Sequence, residues 1–213
     1  NDQLTSVDGL SKLKYIESDF YLSNNDILKN INGLGITSIG GDIEIYSNYE
    51  LENIDALESL NDFDCDVIIY YNNQLNDLLG LKNITTFDNL TIYYNSDLSS
   101  LEGLDSLEEI NGDLYIESND DLTSLESLAK LTSISGSLSI YGNDTLQSLN
   151  GLEQLTFVGS SIYISYNYNL SDFCALNSEV IDLIETGYYY YGGIYGNDYN
   201  PTKDDLIAGD CSN

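Results

Sequence analysis

Histidine, methionine, tryptophan and arginine are absent from this 213-residue chain, and proline occurs once. Without histidine, neither a Ser-His-Asp nor a Cys-His catalytic arrangement can be built, nor a histidine-containing zinc site. Positive charge is almost as scarce: six lysines face 36 acidic residues, for a formal charge of −30. Such a surface repels the phosphates that dominate nucleic-acid affinity and avoids anionic lipid headgroups. The lysines follow no glycine-rich phosphate loop. No apolar run approaches the roughly 18 residues of a membrane helix, so direct membrane insertion is not expected. No basic segment leading into an apolar stretch marks a secretion signal. A carboxylate pair is the one catalytic device left, and among 36 acidic residues some pair always has suitable spacing. The expectation is therefore a protein that is not an enzyme.

What the chain has is a repeat, with 42% hydrophobic residues to fill a core. Strand openers recur at Phe20, Ile43, Val67, Leu90, Leu114, Leu138 and Ile162, at intervals of 23 or 24 residues. Five residues after each stands an asparagine: Asn25, Asn48, Asn72, Asn95, Asn119, Asn143 and Asn167. Counting back one repeat places Asn1 in the same column. Stacked asparagines can satisfy backbone groups that a tight corner leaves unpaired, forming a ladder along the molecule. A second column, thirteen after each opener, holds the small residues Gly33, Ala56, Gly80, Gly103, Ser127, Gly151 and Ala175. These permit sharp turns or close approach of neighbouring coils.

Within a coil, the opener and the residue two later share a face, which predicts a short strand. The Leu-x-x-Leu spacing that follows predicts an irregular or 3₁₀-like path with an inward leucine at each step. The fold class expected is mainly β: a right-handed leucine-rich-repeat or β-solenoid of about seven to eight coils, forming one domain over residues 1–213. Residues 1–19 would be a partial first coil, 20–173 the regular coils and 174–213 a C-terminal cap. In the cap, residues 178–186 read as a short helix stopping at Gly187. Residues 193–197 read as a last degenerate strand with its own ladder asparagine, and Thr202 as the N-cap of a final turn ending at Gly209. Cys174 and Cys211 bracket the cap and are read as a disulfide, which points to an oxidising compartment. A loop of that size is stabilised by roughly 3–4 kcal/mol in the chain-entropy model.

The pattern I-x-G-x-L-x-I-x-x-N-x-x-L-x-x-L-x-x-L-x-x-L over residues 110–131 resembles the receptor L-domain branch of leucine-rich repeats. The tail N-P-T-K-D-D-L-I-A-G-D-C over residues 200–211 is similar to the closing segment of leucine-rich surface proteins of Bacteroidota, the flavobacterial type in particular. The resemblance implies a secreted or cell-surface recognition module, at the extracellular or outer-membrane surface of a Gram-negative bacterium. Receptor L domains carry more disulfides than three cysteines allow, and their ligand contacts follow no transferable motif, so no binding residue is carried over.

The outward strand positions hold the remaining signals. Tyr46, Tyr70, Tyr93 and Tyr141 share one column, Tyr115 and Tyr163 a second, and Tyr71, Tyr94 and Tyr166 a third. Tyrosine suits strands for structural reasons. It also offers amphipathic area at low entropic cost, as binding platforms require. Rings spaced by one strand each could stack an extended glycan or grip a protein at the cell surface. The alternative is a structural or accessory subunit of a larger outer-membrane or extracellular assembly. No cofactor is expected. Asp42 and Asp66 fall on adjacent strands, where a Ca²⁺ ion would relieve their repulsion; simple solvation is the other reading. Cys65 reads as a small packed residue or as a reactive thiol. Asp-Ser-Leu and Asp-Thr-Leu tripeptides make Ser106 and Thr145 candidates for O-glycosylation. The chain also reads as starting partway through a coil, so the first full strand would present an unpaired edge.

Overall fold

The computed structural model describes residues 1–61, 64–184 and 193–213. Eight strands form one parallel sheet in sequence order: β1 (Phe20–Ser23), β2 (Ile43–Tyr46), β3 (Val67–Tyr70), β4 (Leu90–Tyr93), β5 (Leu114–Glu117), β6 (Leu138–Tyr141), β7 (Ile162–Ser165) and β8 (Gly193–Tyr195). Each opener pairs with the next, as in Phe20 with Ile43, Leu114 with Leu138 and Leu138 with Ile162. The chain is thus a mainly β solenoid whose side-chain columns run unbroken from coil to coil. β1 lies at one edge of the sheet, and Leu10, Leu13 and Tyr15 are exposed in the half-coil before it.

The core follows the leucine spacing. In a typical coil Leu114, Ile116, Leu122, Leu125, Leu128, Leu131 and Ile134 are all fully buried. The Leu-x-x-Leu path takes 3₁₀ turns at Asp8–Leu10, Asp55–Leu57, Leu79–Leu81 and Glu126–Leu128. Beyond it lies a second parallel sheet that periodicity did not reveal, formed by Thr86–Phe87, Glu109–Ile110, Ser133–Ile134 and Phe157–Val158. Two residues are too few to show an alternation.

The asparagine ladder is continuous and buried from Asn25 to Asn167, and extends to Asn197. Each backbone N–H donates to the Oδ1 of the next coil's asparagine at 2.9–3.2 Å. From Asn48 onward each Nδ2 donates back to the carbonyl of the previous strand at 2.8–3.0 Å. The backbone nitrogen of Asn1 reaches Asn25 Oδ1 at 3.4 Å, continuing the register. At the other end Asn200 closes the ladder by accepting from Asn197 N at 2.9 Å.

Close approach explains the small-residue column. A Cβ on Gly80, Gly103 or Gly151 would lie 2.1 Å from a carbonyl oxygen of the preceding coil. The last coil is longer: Asn167 and Asn197 are 30 residues apart, and the extra length contains a helix, α1 (Ser178–Ile181). Asn177 caps α1, accepting from Val180 N at 3.1 Å. Val180, Ile181 and Ile184 are buried, but Leu183 is exposed because α1 gives way to a turn after Ile181; Thr186 and Gly187 lie outside the described residues. Thr202 caps α2 (Lys203–Ala208) in a capping box with Asp205, and Gly209 ends it at φ +87°. A disulfide joins Cys174 and Cys211, with Cα atoms 4.9 Å apart.

Candidate functional site

The long sheet's outer face is where the chain departs from what its backbone requires. Immediately before each ladder asparagine the chain turns through the left-handed region. Asn24, Ser47, Tyr71, Tyr94, Ser118 and Tyr166 have φ of 54–56° there, while Gly142 and Gly196 occupy the same corner at 66° and 70°. An L-residue in that region costs roughly 1–2 kcal/mol, least for glycine or asparagine. Three tyrosines therefore sit where Gly142 and Gly196 show that glycine suffices. The sequence reading assigned sharp turns to the small-residue column; the corner itself had no glycine signature to betray it.

The rings form a packed array. Tyr46 stacks on Tyr70 at 4.7 Å between centroids, and Tyr70 on Tyr93 at 4.6 Å. In the next column Tyr71 stacks on Tyr94 at 4.9 Å. The two columns meet edge to face at 5.6–6.0 Å. These separations equal the strand spacing of about 4.8 Å, so each stacked ring covers its neighbour's face. Along this row the ring faces are turned to one another, and what the array offers outward is edges and hydroxyls. A second group joins Tyr141, Tyr168 and Tyr195 edge to face with Tyr166 at 5.4–6.4 Å. Glu117 and Ser118 separate the two groups. Tyr115 and Tyr163 flank Ser139 in the column beside them, and Ser139 is buried between these neighbours.

Carboxylates are interleaved with the rings. Tyr70 donates to Glu44 Oε1 at 3.1 Å and Tyr115 to Asp113 Oδ2 at 2.9 Å. Burial first, then the accepting carboxylate, pushes the Tyr115 phenol up to about 12 and that of Tyr70 well above its usual range. Both hydroxyls stay protonated donors at neutral pH.

Asp42 and Asp66 belong to a second ladder rather than to an isolated acidic pair. Asp19 Oδ1 accepts from Asp42 N and Asp42 Oδ1 from Asp66 N, each at 3.0 Å. Asp66 accepts from Asn89 Nδ2, Asn89 from Asp113 N and Asp113 from Ser137 N, at 2.6–2.7 Å. Like charges on adjacent strands are tolerated because a donor from the neighbouring coil lies at each carboxylate. Glycine precedes this column for a reason: a Cβ on Gly41 would sit 2.1 Å from Asp19 Oδ1. Cys65 takes that place in β3's coil, half-buried against the core, its thiol pushed up by burial and then by Asp42. Among the described residues no three His, Cys, Asp or Glu side chains are grouped to hold a metal ion.

Ser106 is half-buried, and the Thr145 hydroxyl donates to the carbonyls of Asp120 and Leu122 at 2.7 and 2.9 Å. A cleft of about 370 Å³ lies away from the tyrosine face, bounded by Lys14, Asn32, Asp55 and Glu58, with Leu34 and Ala56 as its apolar lining. Small-molecule sites are mostly apolar with a few convergent polar groups, and this one reverses the proportion.

Among the described residues no helix is long and apolar enough to cross a membrane. No curated protein and no solved structure matches the chain. Residues 80–183, a little under half of it and spanning β4 to α1, match the family model of the Receptor L domain.

Proposed function

We propose that this protein is a non-catalytic recognition module that binds a protein partner through the tyrosine face of its long sheet. One observation carries the reading: Tyr71, Tyr94 and Tyr166 are held at left-handed corners where glycine is the less costly residue. Strain that the fold does not require is characteristic of functional surfaces. The match of residues 80–183 to the Receptor L domain supports recognition over catalysis. The disulfide supports an extracellular setting. The tail's similarity to bacterial leucine-rich surface proteins supports the outer surface of a Gram-negative cell.

The stacking supports a protein over a glycan, the two ligand classes the sequence left open. Sugars bind aromatic platforms through ring faces, and here those faces are turned to one another. Edges, hydroxyls and carboxylates suit a polar polypeptide surface, where tyrosine is an enriched anchor. The test replaces Tyr70 and Tyr93 by Ala and measures affinity for the partner recovered from the native cell surface. The expected result is a loss of ten-fold or more with the fold retained. Unchanged affinity would move the site to another face.

A further inference from the structure

The rings fall into two contact groups, and the break between them has a chemistry of its own. At β5 the column of Tyr46, Tyr70 and Tyr93 continues as Glu117, and that of Tyr71 and Tyr94 as Ser118. The next corner is Gly142, at φ +66°, with no side chain at all. From Tyr94 to Tyr166 the outer column is thus empty of rings across two coils. That gap spans three strand spacings, about 14 Å. Tyr94, 46% exposed, forms one wall, and the next two positions of its column carry no ring. Tyr141, 41% exposed, and Tyr166 form the other.

Glu117 stands in this notch, and its Oε1 accepts from Ser139 Oγ at 2.7 Å. That bond fixes the carboxylate while using one oxygen. The other strand-face carboxylates also accept from the next coil, Asp19, Asp42, Asp66 and Asp113 in their own ladder and Glu44 from Tyr70; what sets Glu117 apart is its place in the ring column, next after Tyr93. No lysine falls in any strand-face column: Lys29, Lys82 and Lys203 pair with Glu52, Glu58 and Asp182, and Lys12, Lys14 and Lys130 lie in the other segments of their coils.

We infer that this notch seats an arginine side chain of a basic segment on the partner protein. A guanidinium is flat and weakly hydrated, stacks on an aromatic face and pairs with a carboxylate through a rigid fork of donors. Tyr93 and Tyr94 end their stacks beside Glu117, which supplies an aromatic face and a carboxylate together. An ammonium uses the charge but not the plane. The chain's charge of −30 steers a basic partner toward it, and the carboxylate holds one side chain in register.

This inference rests on the tyrosine face being the binding surface, and one experiment separates the two. The probe is a fluorescent nine-residue peptide carrying three arginines spaced by glycine and serine, titrated at physiological salt. Lysine and glutamate versions and a neutral oligosaccharide serve as comparators. The arginine peptide should bind at least three-fold more tightly than the lysine peptide, and the glutamate peptide and oligosaccharide should not bind. Glu117→Gln, which keeps an acceptor for Ser139, should weaken the arginine peptide at least five-fold. Glu102→Gln removes the same charge from an exposed site off the strand face and should change binding less than two-fold. Equal losses in both variants would reduce the effect to diffuse charge and overturn the inference, as would equal binding of the two basic peptides. A Tyr70→Ala/Tyr93→Ala protein that loses the native partner, while wild type ignores the arginine peptide, would leave the binding face standing and remove the arginine notch alone.

Discussion

Replacing Asn119 by Ala removes one rung from the middle of the ladder, and the hydrogen bonds state the cost. Asn119 Oδ1 accepts from Asn95 N at 3.1 Å, and its Nδ2 donates to Ile92 O at 3.0 Å. Both partners are backbone groups at a buried corner, and Asn119 itself is fully buried. Asn95 Nδ2 keeps its bonds to Ile69 O and Tyr93 O, and Asn119 N keeps Asn143 Oδ1. The net loss is one N–H left without a partner and the second of two donors to a carbonyl, since Ile92 O keeps its place in the β4–β5 pairing. At about 1–3 kcal/mol for the orphaned N–H and about 1 kcal/mol for the lost second bond, the substitution should cost about 3 kcal/mol. For a chain of this size that lowers Tm by roughly 6–12 °C. Asn25 is the internal control: its carboxamide donates to Ser23 O and Asn48 Oδ1, and its Oδ1 meets only the backbone nitrogen of Asn1, at 3.4 Å. Asn25→Ala should cost about 1 kcal/mol, an ordinary hydrogen-bond contribution. Urea and thermal unfolding followed by circular dichroism measure both. Equal losses in the two variants, or less than about 1 kcal/mol for Asn119→Ala, would refute the ladder as the element holding the corners.

Gly103→Ala should destabilise by about 3 kcal/mol or more, since its Cβ would meet Leu78 O at 2.1 Å at a φ of +111°. Gly9→Ala, with nothing within 4 Å, should shift stability by less than about 0.5 kcal/mol; the pair is read by urea denaturation. In a phenolate absorbance titration Tyr115 should ionise near pH 12, after most other tyrosines, and Tyr115→Phe should delete that component. Its folded value lies above the unfolded value of about 10, so the stability linked to it is fully present below pH 10 and lost as pH rises through 12. Asp113→Asn removes a carboxylate that holds the phenol up, so Tyr115 should then ionise at lower pH and less stability should be lost between pH 10 and pH 12.

Coil length, strand register, the ladder and its extension to Asn197 were legible because each is a column repeated seven times or more, and coincidence does not repeat. The cap was legible through local chemistry, Thr202 and Gly209 bracketing α2. Three things were hidden. The second sheet was hidden because two-residue strands carry no period. The left-handed corners were hidden because six of the eight lack glycine, the backbone bond from the next asparagine stabilising a conformation that composition disguises. The partners of the acidic column were hidden because Asp19, Asp42 and Asp66 accept from residues 23 or 24 positions away, which only the folded coil brings close. For the same reason the tyrosine columns were visible in the sequence, while their stacking, which turns ring faces inward, was not.

The corner tyrosines test the central claim most directly. In Tyr71→Gly/Tyr94→Gly the lost stacking, about 0.5–1.5 kcal/mol, is offset by relief of two strained corners, about 1–2 kcal/mol each, less the greater freedom of glycine when unfolded. Stability should stay within about 1–2 kcal/mol of wild type, while affinity for the native surface partner, measured by isothermal titration, falls ten-fold or more. A variant that binds as tightly as wild type would contradict the account, because the strained tyrosines would then have no function to explain them.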